Sequence, residues 1–194
     1  MQGKFWTISN ALSLSRIVLM APVVYFFFTP VIHNREYAVL FMLLAVTTDA
    51  LDGYFARLLK QESEIGKIID PLADKIGIGI VVVLLLFFGD ISFWFAMIVI
   101  LRDALIFIGG LILKMRKGII LPSNLPGKFA VAFVALTLVL AMMRYHFFTV
   151  LMQLSLFISV VLLLVSFVVY IKRFYIVMKS SPNINSSSQK ADSP

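Results

Sequence analysis

Cysteine is absent from the 194 residues, which excludes disulfides, thiolate nucleophiles and cysteine-bound zinc or iron–sulfur centres. Histidine is nearly absent: His33 and His146 are the two in the chain, too few for a soft-metal site. Charge is sparse, at 14% of residues, and acids are outnumbered by bases, 10 to 17. No internal repeat of roughly 20–50 residues runs through the chain, which excludes solenoids and propellers. No basic run is interleaved with aromatics, so the net charge of +7 does not point to nucleic acid. In an apolar chain it marks cytoplasmic loops and contact with anionic headgroups.

Apolar residues fill the space that charge leaves. They make up 61% of the chain, with 18 phenylalanines and a mean hydropathy of +1.00. Soluble domains hold about 45–50% apolar residues, so an all-α integral membrane protein is expected. A helix crossing the bilayer needs roughly 20 mostly apolar residues. Six segments qualify: 12–28, 37–57, 66–88, 91–113, 128–143 and 147–171. The breaks between them, "TPVIHNRE", "QESEIG", "FGDIS", "LPSNLPGK" and "MRYH", carry turn chemistry. The first apolar run lacks a small-x-small cleavage site and reads as a retained anchor. Ahead of it, the segment Met1–Asn10, with Lys4, Phe5 and Trp6, suits a short interfacial helix. The membrane domain is expected to cover residues 1–179, and the Ser- and Asn-rich stretch 180–194 to be a disordered polar tail.

Lysine and arginine orient the chain. With six spans and the N-terminus inside, the cytoplasmic side receives Lys4, Lys60, Lys67, Lys114, Arg116, Lys117, Lys172, Arg173, Lys179 and Lys190. The outer side receives Arg35 and Arg144. The asymmetry puts both termini in the cytoplasm. It also puts the connection at residues 58–65, between the second and third helices, at the cytoplasmic face.

Four of the seven aspartates flank that connection: Asp49, Asp52, Asp70 and Asp74. Asp49 and Asp52 share a helix face, which Ala56 continues; Gly66, Asp70 and Asp74, spaced four and four, form a second stripe. A helical hairpin can bring the two stripes together. Four carboxylates in a low-dielectric site repel one another and resist ionisation. A divalent cation site resolves the conflict, and hard oxygen ligands suit Mg²⁺, Mn²⁺ or Ca²⁺, with room for two ions ~3.5–4 Å apart. Gly53, Ala56 and Gly66 clear space beside the acids, either for close helix packing or for a flat phosphate-bearing ligand. Arg57 ends the second helix as a positive-inside anchor or as a fork for a phosphate.

The full pattern is Asp49-x2-Asp52-Gly53-x2-Ala56-Arg57-x8-Gly66-x3-Asp70-x3-Asp74. It resembles, at every fixed position, the signature of the CDP-alcohol phosphatidyltransferases. At ~5–8% usage per residue type, eight such matches have odds on the order of 10⁻¹⁰ per starting position. The resemblance implies six transmembrane helices, a homodimer and a site facing the cytoplasm, in the inner (cell) membrane of a bacterium. It implies two Mg²⁺ or Mn²⁺ ions on Asp49, Asp52, Asp70 and Asp74, with Asp74 also the general base on the acceptor hydroxyl. Gly53, Ala56, Arg57 and Gly66 would line the pocket for the CDP-diacylglycerol donor, with Arg57 on its phosphates.

The acceptor is read from residues beyond the signature. "SNALSLSRIVL", with Asn10, Ser13 and Arg16, and "IDPLADK" are similar to the branch of the family that makes phosphatidylglycerophosphate from glycerol 3-phosphate. Arg102-Asp103 and Gly127-Lys128 resemble that branch's Arg-acid pair in helix four and Gly-Lys step opening helix five. Arg102, Lys128 and Arg16 are therefore the candidate acceptor-binding residues. Arg102 sits in an apolar run, where an unpaired arginine is costly; Asp103, the hairpin acids or a bound phosphate should pair with it. The chain departs from the branch in having Asp rather than Glu after Arg102, no second arginine over 106–113, and "FAVA" after Lys128. These departures leave room for a lipid alcohol such as phosphatidylglycerol, the acceptor of cardiolipin synthases. A UbiA-type prenyltransferase would be longer, with two separated acidic motifs. A divalent-cation transporter would leave Gly53, Ala56, Arg57 and Gly66 unexplained.

Overall fold

The computed structural model describes residues 8–59, 66–118 and 124–179, with side chains over 18–48, 75–118 and 124–179. These residues form six α-helices: α1 (Ile8–Phe28), α2 (Asn34–Leu59), α3 (Gly66–Phe87), α4 (Phe93–Lys117), α5 (Leu125–Met143) and α6 (Thr149–Lys179). A 3₁₀ turn at His146–Phe148 leads into α6. There is no strand among the described residues. Each expected helix is present, with ends moved by up to about two turns. Residues 1–7 and the tail 180–194 lie outside the described residues, and Ile8–Asn10 form the first turn of α1 rather than part of a separate helix.

The helix ends follow from local chemistry. Ser92 caps α4 by accepting from the Phe95 N–H at 3.4 Å, and Asn124 caps α5 through the Gly127 N–H at 2.6 Å, each satisfying a donor left free in the first turn. α4 runs past its apolar stretch because Lys114, Arg116 and Lys117 fill its last turn, where positive charge favours the carbonyl end. Gly118, at φ 66°, closes it in the left-handed conformation and returns its N–H to the Lys114 carbonyl. Arg144, at φ 53°, plays the same closing role after α5.

The packing is inverted relative to a water-soluble bundle. Phe93, Trp94, Phe147, Phe157, Leu164 and Val168 are exposed, whereas Thr137, Ser155, Ser159 and Ser166 lie inside. α6 presents Ser155, Ser159, Leu163 and Ser166 to α5, and α5 answers with Ala130, Val134, Thr137 and Ala141; all eight are buried. Small residues at this spacing let the two backbones approach, and Thr137 Oγ1 and Ser155 Oγ share a hydrogen bond of 2.7 Å. α1 packs against both α2 and α3, α4 against α3 and α6, and α5 against α2 and α3. Val23, Phe27, Val82, Leu85, Phe95 and Met142 fill the centre.

A charged cluster gathers three turns at one end. Asp90, between α3 and α4, pairs with Arg35 of α2 at 2.8 Å and with Arg144 after α5. Arg144 Nη2 also donates to the Phe88 carbonyl at 3.0 Å, and the Tyr145 hydroxyl donates to Glu36 at 2.6 Å. Successive helices therefore run in opposite directions. The start of α1 and the end of α6 lie at the end opposite Asp90.

Among the described residues, three helical stretches are long and apolar enough to cross a membrane: Phe93–Lys117, Leu125–Met143 and His146–Lys179. Val18–Phe28 and Lys75–Phe87 are shorter apolar stretches.

Candidate functional site

The acidic signature occupies the ends of α2 and α3 remote from Asp90. α2 carries Asp49, Asp52, Gly53, Ala56 and Arg57 in its C-terminal half, and α3 carries Gly66, Asp70 and Asp74 in its N-terminal half. At about 1.5 Å per residue, Asp49 and Asp52 stand roughly 22 and 27 Å along α2 from its start. Asp74 and Asp70 stand roughly 20 and 26 Å back along α3 from its end. The two helices run in opposite directions from the same end, so the two pairs of acids occupy the same level of the bundle. Their side chains, and that of Arg16 in α1, lie outside the described residues. Among the described residues no group of acids and histidines could hold a metal.

Beside the acidic pairs in sequence begins a polar network. Lys75, next after Asp74, reaches from α3 to α4, where its Nζ lies 3.4 Å from Asp103 Oδ2 and donates to the Asp103 carbonyl at 3.3 Å. Asp103 Oδ1 accepts from Arg102 Nη1 at 2.6 Å. Arg102 Nη2 then crosses to α6 and donates to Ser166 Oγ at 2.6 Å. The Ser166 hydroxyl donates to Asn124 Oδ1 at 3.0 Å, and Asn124 Nδ2 donates back to the Ser166 carbonyl at 3.1 Å. Four helices thus meet through five polar residues inside an apolar bundle. Lys75 and Asp103 also stand at a groove of about 220 Å³ walled by Ile78, Gly79, Val99 and Phe107.

Arg102 is only 10% exposed along its side chain. Of the partners expected for it from sequence, Asp103 is in place. Its Nε is buried and has no hydrogen-bond partner among the described residues, although a guanidinium offers five N–H donors. Lys128 is exposed on the first turn of α5, and its backbone N–H bonds to the Asn124 carbonyl at 3.1 Å. Gly127 has a steric reason to lack a side chain: a Cβ there would meet Asn124 Oδ1 at 2.5 Å and Ser166 Oγ at 2.9 Å.

Sequence reading missed Asn124 and Ser166. Asn124 carried a signal, as a capping residue ahead of Pro126 and Gly127 in "LPSNLPGK". Ser166 carried a weaker one, as the third hydroxyl along the face of Ser155 and Ser159.

A helical bundle with an apolar exterior, charged residues buried among its helices and acidic pairs at one level defines an integral membrane protein with a polar site inside. Comparison with known proteins makes the class specific: the family model for CDP-alcohol phosphatidyltransferase matches residues 6–165. The chain belongs to the CDP-alcohol phosphatidyltransferase family, and is an enzyme rather than a cation transporter. It is 35% identical over 89% of its length to a CDP-diacylglycerol–glycerol-3-phosphate 3-phosphatidyltransferase of Aquifex aeolicus, 98% of which is covered. A protein of the same name from Mycoplasma pneumoniae is 30% identical over 70% of the chain and 65% of its own length. A putative cardiolipin synthase of Mycobacterium bovis is 32% identical over 66% of the chain and 61% of its own length.

Proposed function

We propose that the protein transfers the phosphatidyl group of CDP-diacylglycerol to glycerol 3-phosphate, forming phosphatidylglycerophosphate and CMP. The carrying observation is the near end-to-end similarity to the Aquifex aeolicus protein of that name, at 35% identity with 98% of the relative covered. The acidic pairs at one level of α2 and α3 support a donor site, and the buried Arg102, whose Nε is unbonded among the described residues, supports an acceptor phosphate.

Asp49, Asp52, Asp70 and Asp74 would hold two Mg²⁺ or Mn²⁺ ions, because an all-carboxylate donor set without sulfur or imidazole suits hard divalent cations. Such ions supply charge neutralisation at the diphosphate. Arg57 holds the diphosphate oxygens by a charge-assisted fork, with Gly53, Ala56 and Gly66 leaving space for the cytidine end. Asp74 takes the proton from the acceptor hydroxyl as its oxygen attacks the lipid-side phosphorus. The phosphorus–oxygen bond to CMP breaks, and CMP leaves. Arg102, Lys128 and Arg16 bind the acceptor phosphate.

Six spans with both termini in the cytoplasm follow from this reading. The basic residues Lys114, Arg116, Lys117, Lys172, Arg173 and Lys179 fall at the end remote from Asp90, as cytoplasmic loops require. The site then faces the cytoplasm of a bacterial inner membrane, where both substrates are available, and the protein works as a homodimer.

Purified protein supplied with CDP-diacylglycerol and Mg²⁺ should release CMP with glycerol 3-phosphate and not with serine or inositol phosphate. CMP released only with phosphatidylglycerol would replace this acceptor with that of a cardiolipin synthase, a reading favoured by the similarity to the Mycobacterium bovis protein and by the lack of a second arginine over 106–113.

A further inference from the structure

We propose that Ser166 and Asn124 are positioning residues that hold the Arg102 guanidinium open for the acceptor, an inference that rests on the acceptor role of Arg102 above. Arg102 and Asp103 are adjacent in sequence and already joined through Nη1 at 2.6 Å. An arginine fork beside a carboxylate favours a two-pronged pair. Closing that pair would commit both arms to Asp103 and withdraw the cation from any other anion. Ser166 prevents the closure by taking Nη2 at 2.6 Å.

A hydroxyl can do this only if its oxygen, not its hydrogen, faces the arginine. Ser166 has one hydrogen to give, and that hydrogen is committed to Asn124 Oδ1 at 3.0 Å. The orientation of Asn124 is set in turn from two sides. Its Oδ1 accepts from the Gly127 N–H at 2.6 Å, and its Nδ2 donates to the Ser166 carbonyl at 3.1 Å. Flipping the amide would bring N–H against N–H at Gly127 and oxygen against oxygen at Ser166. The cap of α5 therefore dictates the Asn124 amide, the amide dictates the Ser166 hydroxyl, and the hydroxyl dictates where Nη2 points. Asn124 is 9% exposed and Ser166 1% exposed, so water does not compete for these bonds. A charge held in advance by locked neighbours binds without the cost of ordering it.

The test is steady-state kinetics of the full-length enzyme in detergent, with each substrate varied in turn. Ser166→Ala frees Nη2 to join Nη1 on Asp103. It should raise KM for glycerol 3-phosphate by about tenfold or more, the loss of one charge-assisted contact. KM for CDP-diacylglycerol and kcat should change by less than about twofold, far below that loss. Ser166→Thr keeps the hydroxyl and should restore most of the acceptor KM. Asn124→Asp keeps an acceptor for the Gly127 N–H, so the cap of α5 is kept, and an unchanged Tm checks the fold. It loses the donor to the Ser166 carbonyl and adds a second carboxylate near Arg102, and should again raise only the acceptor KM.

An unchanged acceptor KM in both Ser166→Ala and Asn124→Asp overturns the inference. So does a lower kcat with both KM values raised and a lower Tm, which would mark a structural role. Wild-type enzyme that releases CMP with phosphatidylglycerol alone overturns the glycerol 3-phosphate reading instead. The same split is then read on the KM for phosphatidylglycerol.

Discussion

Arg35 of α2 and Asp90 of the α3–α4 turn form an ion pair of 2.8 Å in which the carboxylate is only 4% exposed. The guanidinium lies over two neighbouring rings, 4.2 Å from the Phe27 centroid and 5.0 Å from that of Phe88. Arg144 reaches the other oxygen of Asp90 from the end of α5. One carboxylate thus ties together three helix turns that are distant in sequence.

Removing that carboxylate leaves Arg35 buried without its counter-ion. Asp90→Ala should cost about 3–5 kcal/mol, the usual penalty for orphaning one partner of a buried pair. Arg144 is 55% exposed along its side chain, and Arg144→Ala should cost about 0–1 kcal/mol, as for exposed pairs. Thermal unfolding in detergent measures both. Equal effects would mean that Asp90 does not organise this end of the bundle.

The same end carries a pH-sensitive contact outside the apolar spans. The Tyr145 hydroxyl, above all, holds the Glu36 carboxyl down at about 2, helped by a backbone hydrogen bond and by His33. The ordinary value is 4.5, so this contact stabilises the fold above pH 4.5 and fades as pH falls from there toward 2. The phenol is raised by the same bond, so it contributes below its ordinary value of 10.0 and fades as pH rises through its folded value. Tyr145→Phe should therefore lower Tm at neutral pH, with the gap from wild type closing in acid below pH 4.5 and again in strong alkali. A gap that persists unchanged at pH 3 would show that the contact does not depend on the ionised carboxyl.

The helices were largely legible in the sequence because their ends are set locally. Ser92, Gly118 and Asn124 each act on backbone groups within four residues. α6 is longer than expected because apolarity bounds a span but not a helix; the backbone stays helical through Lys172 and Arg173 to Lys179. The acidic signature was legible because its spacing survives in one dimension. The lock on Arg102 was not, since Ser166 lies 64 positions from Arg102 and 42 from Asn124 along the chain. A lone serine in "LLLVSFVV" gains meaning only when α5 and α4 are placed beside it.

Asp74 is expected to be needed for proton transfer rather than for fold. Asp74→Asn should lower CMP release by about 10²–10⁴-fold, the usual range for losing a general base, while CDP-diacylglycerol binding is largely kept. Stripping divalent cations with EDTA should abolish turnover, and Mg²⁺ or Mn²⁺ should restore it in wild type but not in the variant. Binding of labelled donor and CMP release, measured on the same preparation, separate the two effects. Normal CMP release by Asp74→Asn would remove Asp74 from the base role.

Gly127 tests how tightly the Arg102 lock is built. A Cβ there would lie 2.5 Å from Asn124 Oδ1, 2.9 Å from Ser166 Oγ and 3.4 Å from Arg102 Nη2. None of these atoms is the loose end of an exposed chain: Asn124 and Ser166 are buried and bonded to each other. Gly127→Ala should therefore cost about 1–3 kcal/mol, as overpacking does, by pushing Asn124 off the α5 cap. It should also raise the acceptor KM, because the displaced amide no longer orients Ser166. Gly79→Ala is the contrast: a Cβ at Gly79 meets nothing within 4 Å, and alanine is the better helix former by about 1 kcal/mol, so Tm should hold or rise. If Gly127→Ala matches Gly79→Ala in both Tm and acceptor KM, the contacts among Asn124, Ser166 and Arg102 are looser than their distances imply.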